Sequence, residues 1–339
     1  MSGRDLLGLV VAGAAGLAVL ILTPIYFELD TVLNLTVYMI MAVLALSLAL
    51  VWGFGGILCF GQSAFFGLGA YTYAIAIINM GESTAPLLLS ILVPALFAAA
   101  LGYFIFYGRI SDVYLGVITL TVTLILFNSI NSTAGPEFHI GAARLGGFNG
   151  IPGIPPLNWP LQKDKPVDLQ GMFYLSTASL IVVYFGLRAL LASRFGHIIV
   201  GIRENERRAE LLGYDPRAYK LATFVIGAAL AGYAGCLFAN WGAFVSPTIF
   251  GLAQSAQIII WVIVGGRGAL IGPILGCIGI QWLTAALGAN APTGAGGFAA
   301  VLGNAPLVLG AILIAFVLLV PKGLAPTLAD LTGQRMRAR

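Results

Sequence analysis

Apolar residues in this chain fall in long, nearly unbroken runs, and polar residues gather in the stretches between them. A helix rises about 1.5 Å per residue, so about 20 apolar residues cross a hydrocarbon core of roughly 30 Å. Runs of that order lie at 6–27, 31–52, 63–80, 86–107, 112–131, 171–192, 218–239, 251–266, 269–289 and 305–321, two of them short. The pattern predicts an all-α integral membrane protein of about ten transmembrane helices, forming one domain over residues 1–339.

Composition points the same way. Hydrophobic residues are 59% of the chain and charged residues 9%, against roughly 45–50% and about 25% in soluble domains. Too few charges remain to cover a water-exposed surface. The first run follows Arg4 like a signal peptide but has no small-x-small cleavage site after it, so it is expected to stay as a helix. Cys59, Cys236 and Cys277 all lie in apolar segments without pairing or metal-ligand spacing and read as small packing residues. The net charge of +4 is scattered over loops. Membrane lipid, not nucleic acid, is the partner it suits.

With ten crossings, Arg4, Arg109, Arg188, Arg194, Arg203, Arg207, Arg208, Arg217, Lys220, Arg267, Lys322, Arg335, Arg337 and Arg339 share one side. Only Arg144, Lys163 and Lys165 fall on the other. Basic residues mark the cytoplasmic face. The expected topology has both termini cytoplasmic, a periplasmic loop at 132–170, a cytoplasmic loop at 193–217 and a cytoplasmic tail at 322–339. The outer loop holds Gly146, Gly147, Gly150, Pro152, Gly153, Pro155 and Pro156, a composition for turns and compact loop structure.

Residues 53–71 carry six glycines in an otherwise apolar stretch. Each costs about 1 kcal/mol relative to alanine in a helix, which predicts an interrupted or re-entrant segment. Irregular backbone at membrane depth persists only against protein or a water-filled cavity. Gln62 and Ser63 at the break, with Phe66 and Tyr71 beyond it, are therefore candidates for lining a translocation pathway. A second glycine-rich break falls at 264–273, and paired breaks in two halves of a transporter point to a central path. The alternative reading of such glycines is close helix packing. Segment 227–240 has that form, with one stripe of Gly227, Ala231, Gly235 and Ala239 and another of Ala228, Gly232 and Cys236.

The 193–217 loop reads as a short amphipathic helix with Ile202, Ala209, Leu211 and Leu212 as its apolar positions. Gly213 suits a C-terminal cap, and Asp215 before Pro216 suits a cap and first-turn proline for the next helix. Helix, tight turn, helix is the expected layout. A helix fixed this firmly can transmit force from a partner. An interfacial helix held on anionic lipid by Arg203, Arg207 and Arg208 is the alternative, opposed by Glu204, Glu206 and Glu210.

No predicted span holds a carboxylate near its centre, as a proton- or cation-driven carrier would need. Nor is there a Gly-x-x-x-x-Gly-Lys-Ser/Thr loop or a nucleophile–base–acid set. The chain is expected to be no enzyme, to bind no cofactor or metal, and to draw its work from elsewhere.

The stretch Gly55 to Tyr71 (GGILCFGQSAFFGLGAY), the loop Ile202 to Gly213 (IRENERRAELLG), its continuation Tyr219 to Ile226 and the segment Val264 to Pro273 resemble the permeases of branched-chain amino acid ABC transporters. The likeness is closest to the LivM-like member of the pair. It implies a bacterial inner-membrane heterodimer with a LivH-like permease, two cytoplasmic ATPases that bind ATP and Mg²⁺, and a periplasmic binding protein. It also implies that the 200–216 loop is the coupling helix, with Arg203, Glu204, Asn205, Glu206, Arg207, Glu210, Leu212 and Gly213 as ATPase-coupling candidates. Residues 212–216 (LGYDP) are similar to the urea and short-amide branch of the family, which leaves that solute class open. A stand-alone facilitator or ion-coupled carrier is the reading from a different class.

Overall fold

The computed structural model describes residues 3–108, 110–159 and 162–289, together with positions 310, 323, 324 and 327. Helix α1 spans Gly3–Tyr26 and α2 spans Leu29–Leu48, running on into a π-helical turn at Ala49–Phe54. Next come α3 (Gln62–Met80), α4 (Thr84–Tyr107), α5 (Asp112–Asn131) and, after a long loop, α6 (Leu169–Ala192). Two short helices, α7 (Arg194–Glu204) and α8 (Glu206–Leu211), lead into α9 (Pro216–Gly242). The hairpin of α10 (Leu252–Gly265) and α11 (Ile271–Ala289) ends the described chain.

Among the described residues, six helices are long and apolar enough to cross a membrane, the first being α2 with its π-turn. Gly16–Tyr26 is an apolar stretch of α1, and Leu252–Gly265 and Ile271–Leu287 are shorter apolar helices. At about 1.5 Å per residue, the 14 residues of α10 fall short of a hydrocarbon core. The expected tenth span at 305–321 and most of the 322–339 tail lie outside the described residues. The structure thus supports a multi-helix membrane protein, with six full-length spans among the described residues set against about ten expected over the whole chain.

Helix α2 is the axis of the bundle. Met39 to Leu48 are buried without exception, and a helix apolar on every face belongs in an interior. The outer helices keep an apolar face outward: Leu88, Leu92 and Leu96 on α4 form one exposed row. In water that row would be a liability, and in lipid it is matched to its surroundings.

The interior closes by backbone approach. Gly69 of α3 lies against the backbone of Gly232 on α9, and Gly235 lies against Phe66 and Ala70 of α3. Gly232 also meets Ser90 and Pro94 of α4, and Gly227 faces Val51 and Ser47. Both small-residue stripes foreseen on 227–240 therefore serve packing, and both reach α3. Cys59, Cys236 and Cys277 are buried and unpaired, as packing residues would be.

The helix interruption in 53–71 is shorter than the glycine density suggests. The chain leaves helical form over 55–61 and then runs through Gly67 and Gly69 as part of α3. Those two glycines are there for the close approach of Phe250 and Gly232.

The two ends of the bundle differ. At one end the 132–170 loop carries hairpin β1 (His139–Ile140) and β2 (Ala143–Arg144), then β3 (Ile151–Pro152), then hairpin β4 (Asn158–Trp159) and β5 (Gln162–Pro166). Strand β3 pairs with β6 (Phe244–Val245) beyond α9. Asn79 donates to the Ile140 carbonyl at 2.9 Å and accepts from the Ala142 N–H at 2.8 Å. With Ile151, Ile154 and Leu157 buried, the loop is a fixed cap on that end. The opposite end carries α7 and α8.

Valine at Gly69 or Gly235 would drive a side chain into the backbone of the neighbouring helix. Such overpacking costs about 1–3 kcal/mol. Gly69→Val and Gly235→Val are expected to lower the thermal midpoint of the protein in detergent. Gly186→Ala, which meets nothing within 4 Å, is expected to leave it unchanged or slightly higher.

Candidate functional site

The first turn of α3 knots three helices together. Gln62, its first residue, is buried, and its Nε2 donates to Ser47 Oγ of α2 at 2.7 Å and to the Gly227 carbonyl of α9 at 3.1 Å. Ser63 turns the other way, with its Oγ 2.5 Å from Ser255 Oγ of α10. Phe66 packs against Phe238 of α9, ring centroids 5.5 Å apart, and Tyr71 against Phe250 at 5.7 Å. The structure thus sets the four pathway candidates on one buried helix but aims them at different neighbours.

Pairing around them is incomplete. Gln62 Oε1, Tyr71 Oη, Gln254 Nε2 and Trp261 Nε1 are buried without a hydrogen-bond partner among the described residues. All four belong to α3 and α10, elements in contact through Ser63 and Ser255. Buried polar groups are ordinarily paired, so α3 and α10 carry hydrogen-bonding capacity that goes unused among the described residues.

Gln254 and Ser255 were not among the sequence candidates. The reason is a third break, at 243–251, where the chain turns through Ala243 (φ 46°), pairs as β6 and forms a 3₁₀ turn at Pro247–Phe250. Phe250 is fully buried against Gly67 and Tyr71, so the chain has descended into the bundle before α10 begins. Ser246-Pro247 is the local signal of that break.

The 193–217 segment forms two helices where one was expected. The Asn205 backbone is extended, and its side chain accepts from the Arg208 N–H at 2.9 Å, so it ends α7 and caps α8. Gly213 follows α8 with φ of 90°, and Asp215 caps α9 by accepting from the Arg217 N–H at 3.1 Å ahead of Pro216. Those local assignments agree with the sequence.

Side-chain directions differ from the expected amphipathic pattern. Ile202 and Ala209 are buried, whereas Leu211 and Leu212 are 84% and 72% exposed at the tip. Arg207, Arg208, Glu210 and Gly213 are exposed beside them. Glu206 is held by Lys220 of α9 at 2.6 Å. Arg203 turns inward, its Nη1 donating to the Gly53 carbonyl at 2.5 Å and its Nη2 pairing with Glu204 at 2.5 Å. A polar cleft of about 420 Å³ opens at the root of this arm, lined in part by Glu206, Glu210, Arg217 and Lys220.

The apolar face of α7 is used up against the protein. Ile199 and Ile202 cluster with Phe195 and Tyr219, so that face does not lie on a lipid surface. Among the described residues, no group of three His, Cys, Asp or Glu could hold a metal.

Comparison with known proteins connects with this geometry. Residues 31–319, which include both the α3–α10 seam and the arm, match the family described as branched-chain amino acid transport system / permease component. The chain is 33% identical over 278 residues to the high-affinity branched-chain amino acid transport system permease protein LivM of Escherichia coli, covering 75% of this chain and 63% of that one. It is also 33% identical to LivM of Salmonella typhimurium, over 72% of this chain and 60% of the relative. It is 26% identical to the permease protein BraD of Pseudomonas aeruginosa, over 74% of this chain and 83% of the relative. The matched region thus spans less than two thirds of the two LivM proteins. No solved structure matches. By the extent of the family match, this chain belongs to the permease components of branched-chain amino acid transport systems.

Proposed function

We propose that this chain is one permease subunit of an ATP-driven importer and forms half of the translocation pathway for branched-chain or other hydrophobic amino acids. It would work in the bacterial inner membrane, with both termini cytoplasmic. Its partners would be a LivH-like permease, two ATPases that bind ATP and Mg²⁺, and a periplasmic binding protein docking on the 132–170 cap.

The observation that carries this reading is the capped arm α7–α8 with Leu211 and Leu212 bared at its tip. Two large apolar side chains on an ordered, charged turn suit insertion into a cleft of another protein. The arm closes with a glycine cap and a proline start, so a push on the tip would reach α9 without being lost in a flexible linker. Gln62, Ser63, Phe66 and Tyr71 would lie along the pathway, where the unused hydrogen-bonding groups of α3 and α10 favour a polar solute. The names of the relatives favour branched-chain amino acids over the urea and short-amide branch.

Two experiments on the reconstituted importer test the reading. Leu211→Asp with Leu212→Asp is expected to cut copurification of the ATPase subunits at least tenfold and to abolish uptake. Full copurification and uptake would reject the Leu211–Leu212 tip as the docking element, whereas uptake by the purified subunit alone would favour a stand-alone facilitator. Tyr71→Phe removes a buried, unpartnered hydroxyl and keeps the ring packed on Phe250. It is expected to raise the KM of uptake several-fold with no change in thermal midpoint, and an unchanged KM would remove Tyr71 from the pathway.

A further inference from the structure

The arm meets the bundle through a small apolar cluster and two directional contacts, Glu206 with Lys220 at the start of α9 and Arg203 with the end of α2. Ile199, Ile202 and Ala209 form a small cluster of their own with Phe195 and Tyr219, apart from the main core. Apolar contact alone resists separation but fixes no direction. Arg203 adds what that contact lacks. Its Nη1 donates to the carbonyl of Gly53, within the π-helical turn that ends α2. Its stem lies against Gly56, where an added Cβ would come within 2.7 Å of Arg203 Cγ. Gly56 also has φ of 71°, so the residue that makes room for the arginine makes the turn as well.

A second arginine holds the same turn from another side. Arg267, between α10 and α11, lies over the Trp52 ring with its guanidinium carbon 4.8 Å from the centroid. Its carbonyl oxygen abuts Gly53, 2.6 Å from where a Cβ would be. Residues 52–56 are therefore gripped by one arginine from the arm and one from the α10–α11 turn. One helical turn before this grip, Ser47 of α2 accepts the Gln62 hydrogen bond. An unbroken route runs from the arm through Gly53 and α2 to the first turn of α3.

We propose that Arg203 is the positioning residue that converts displacement of the 193–217 arm into movement of the α2 end, with residues 52–56 as the receiver and Arg267 as the fixed side of the grip. A charge-assisted bond from guanidinium to carbonyl can pull as well as push. Glu204 fixes the orientation of the guanidinium through its contact at 2.5 Å. Arg203 thereby serves coupling through its bond to the end of α2, without touching an ATPase. The inference rests on the reading of the arm as the ATPase-facing element.

The test uses the complete importer in liposomes, reading ATPase copurification, ATP hydrolysis and solute moved per ATP. Arg203→Gln is expected to keep the ATPase subunits and hydrolysis within about twofold of the parent while solute moved per ATP falls at least tenfold. Gly56→Ala retains the arginine but displaces its stem, and is expected to give the same loss. Arg203→Lys, one donor group short of the fork, is expected to fall between. Solute moved per ATP within twofold of the parent in Arg203→Gln and Gly56→Ala would overturn the proposal. Loss of the ATPase subunits from folded Arg203→Gln would overturn it too, because that is the behaviour of a docking residue. If either variant fails to fold, Arg203→Lys decides by the same ratio. The Leu211→Asp, Leu212→Asp pair separates the two claims: ATPases retained there reject the arm as a docking element, whereas a failed relay leaves their loss intact.

Discussion

A backbone amide or carbonyl that leaves a helix inside a bilayer has no water to bond, and the irregular parts of this molecule are arranged around that constraint. Each departure from helix is covered by another element. At 55–61 the Phe60 N–H donates to Thr119 Oγ1 at 3.1 Å, and the Gly53 carbonyl just before it takes the Arg203 guanidinium. At 243–251 the chain pairs with β3 of the capping loop before entering the bundle. At the α10–α11 turn, Gly265 and Gly272 bring the two backbones into contact. Glycine is needed at the first and last of these breaks because the covering group must come right up to the main chain, as Arg203 does at Gly56.

This explains which features were legible in the sequence. Helix positions followed from long apolar runs because lipid demands length and rewards little else. Local chemistry was equally readable: the Gly213 cap, the Asp215–Pro216 start and the small-residue stripes of α9 depend on neighbours within a turn or two. Side-chain direction depends on the rest of the fold and was not readable. Arg203 stands among charged residues and looks like surface, yet it turns to a carbonyl 150 positions away in sequence. Leu211 and Leu212 look like the buried face of an amphipathic helix and are the exposed tip. Periodicity misled here because Asn205 splits the helix and resets the register between α7 and α8.

The candidate site was half legible for the same reason. Gln62 and Ser63 announced themselves as polar residues in an apolar stretch beside a break. Gln254 and Ser255 carry the same signal, but the break before them lacks the glycine density of 53–71 and is made by a strand pair and a 3₁₀ turn. Only with Phe250 lodged against Gly67 and Tyr71 does it emerge that the chain has already entered the bundle where α10 starts. Two polar turns on different helices then face one another.

Those turns also suggest how the bundle could be moved. The bonds Gln62–Ser47, Gln62–Gly227 and Ser63–Ser255 tie α2, α3, α9 and α10 together at the end that bears the arm. Interhelical hydrogen bonds in membranes are worth only about 0.6 kcal/mol on average. Three of them hold a conformation without locking it. The glycine contacts between α3 and α9 are of the opposite kind, because backbones in van der Waals contact can slide or pivot but cannot move closer. A force applied through the arm would therefore spend itself on the polar ties near Gln62 before it could disturb the α3–α9 crossing. In the proposed importer the arm end would open, and the close crossing at Gly69 and Gly232 would be its pivot.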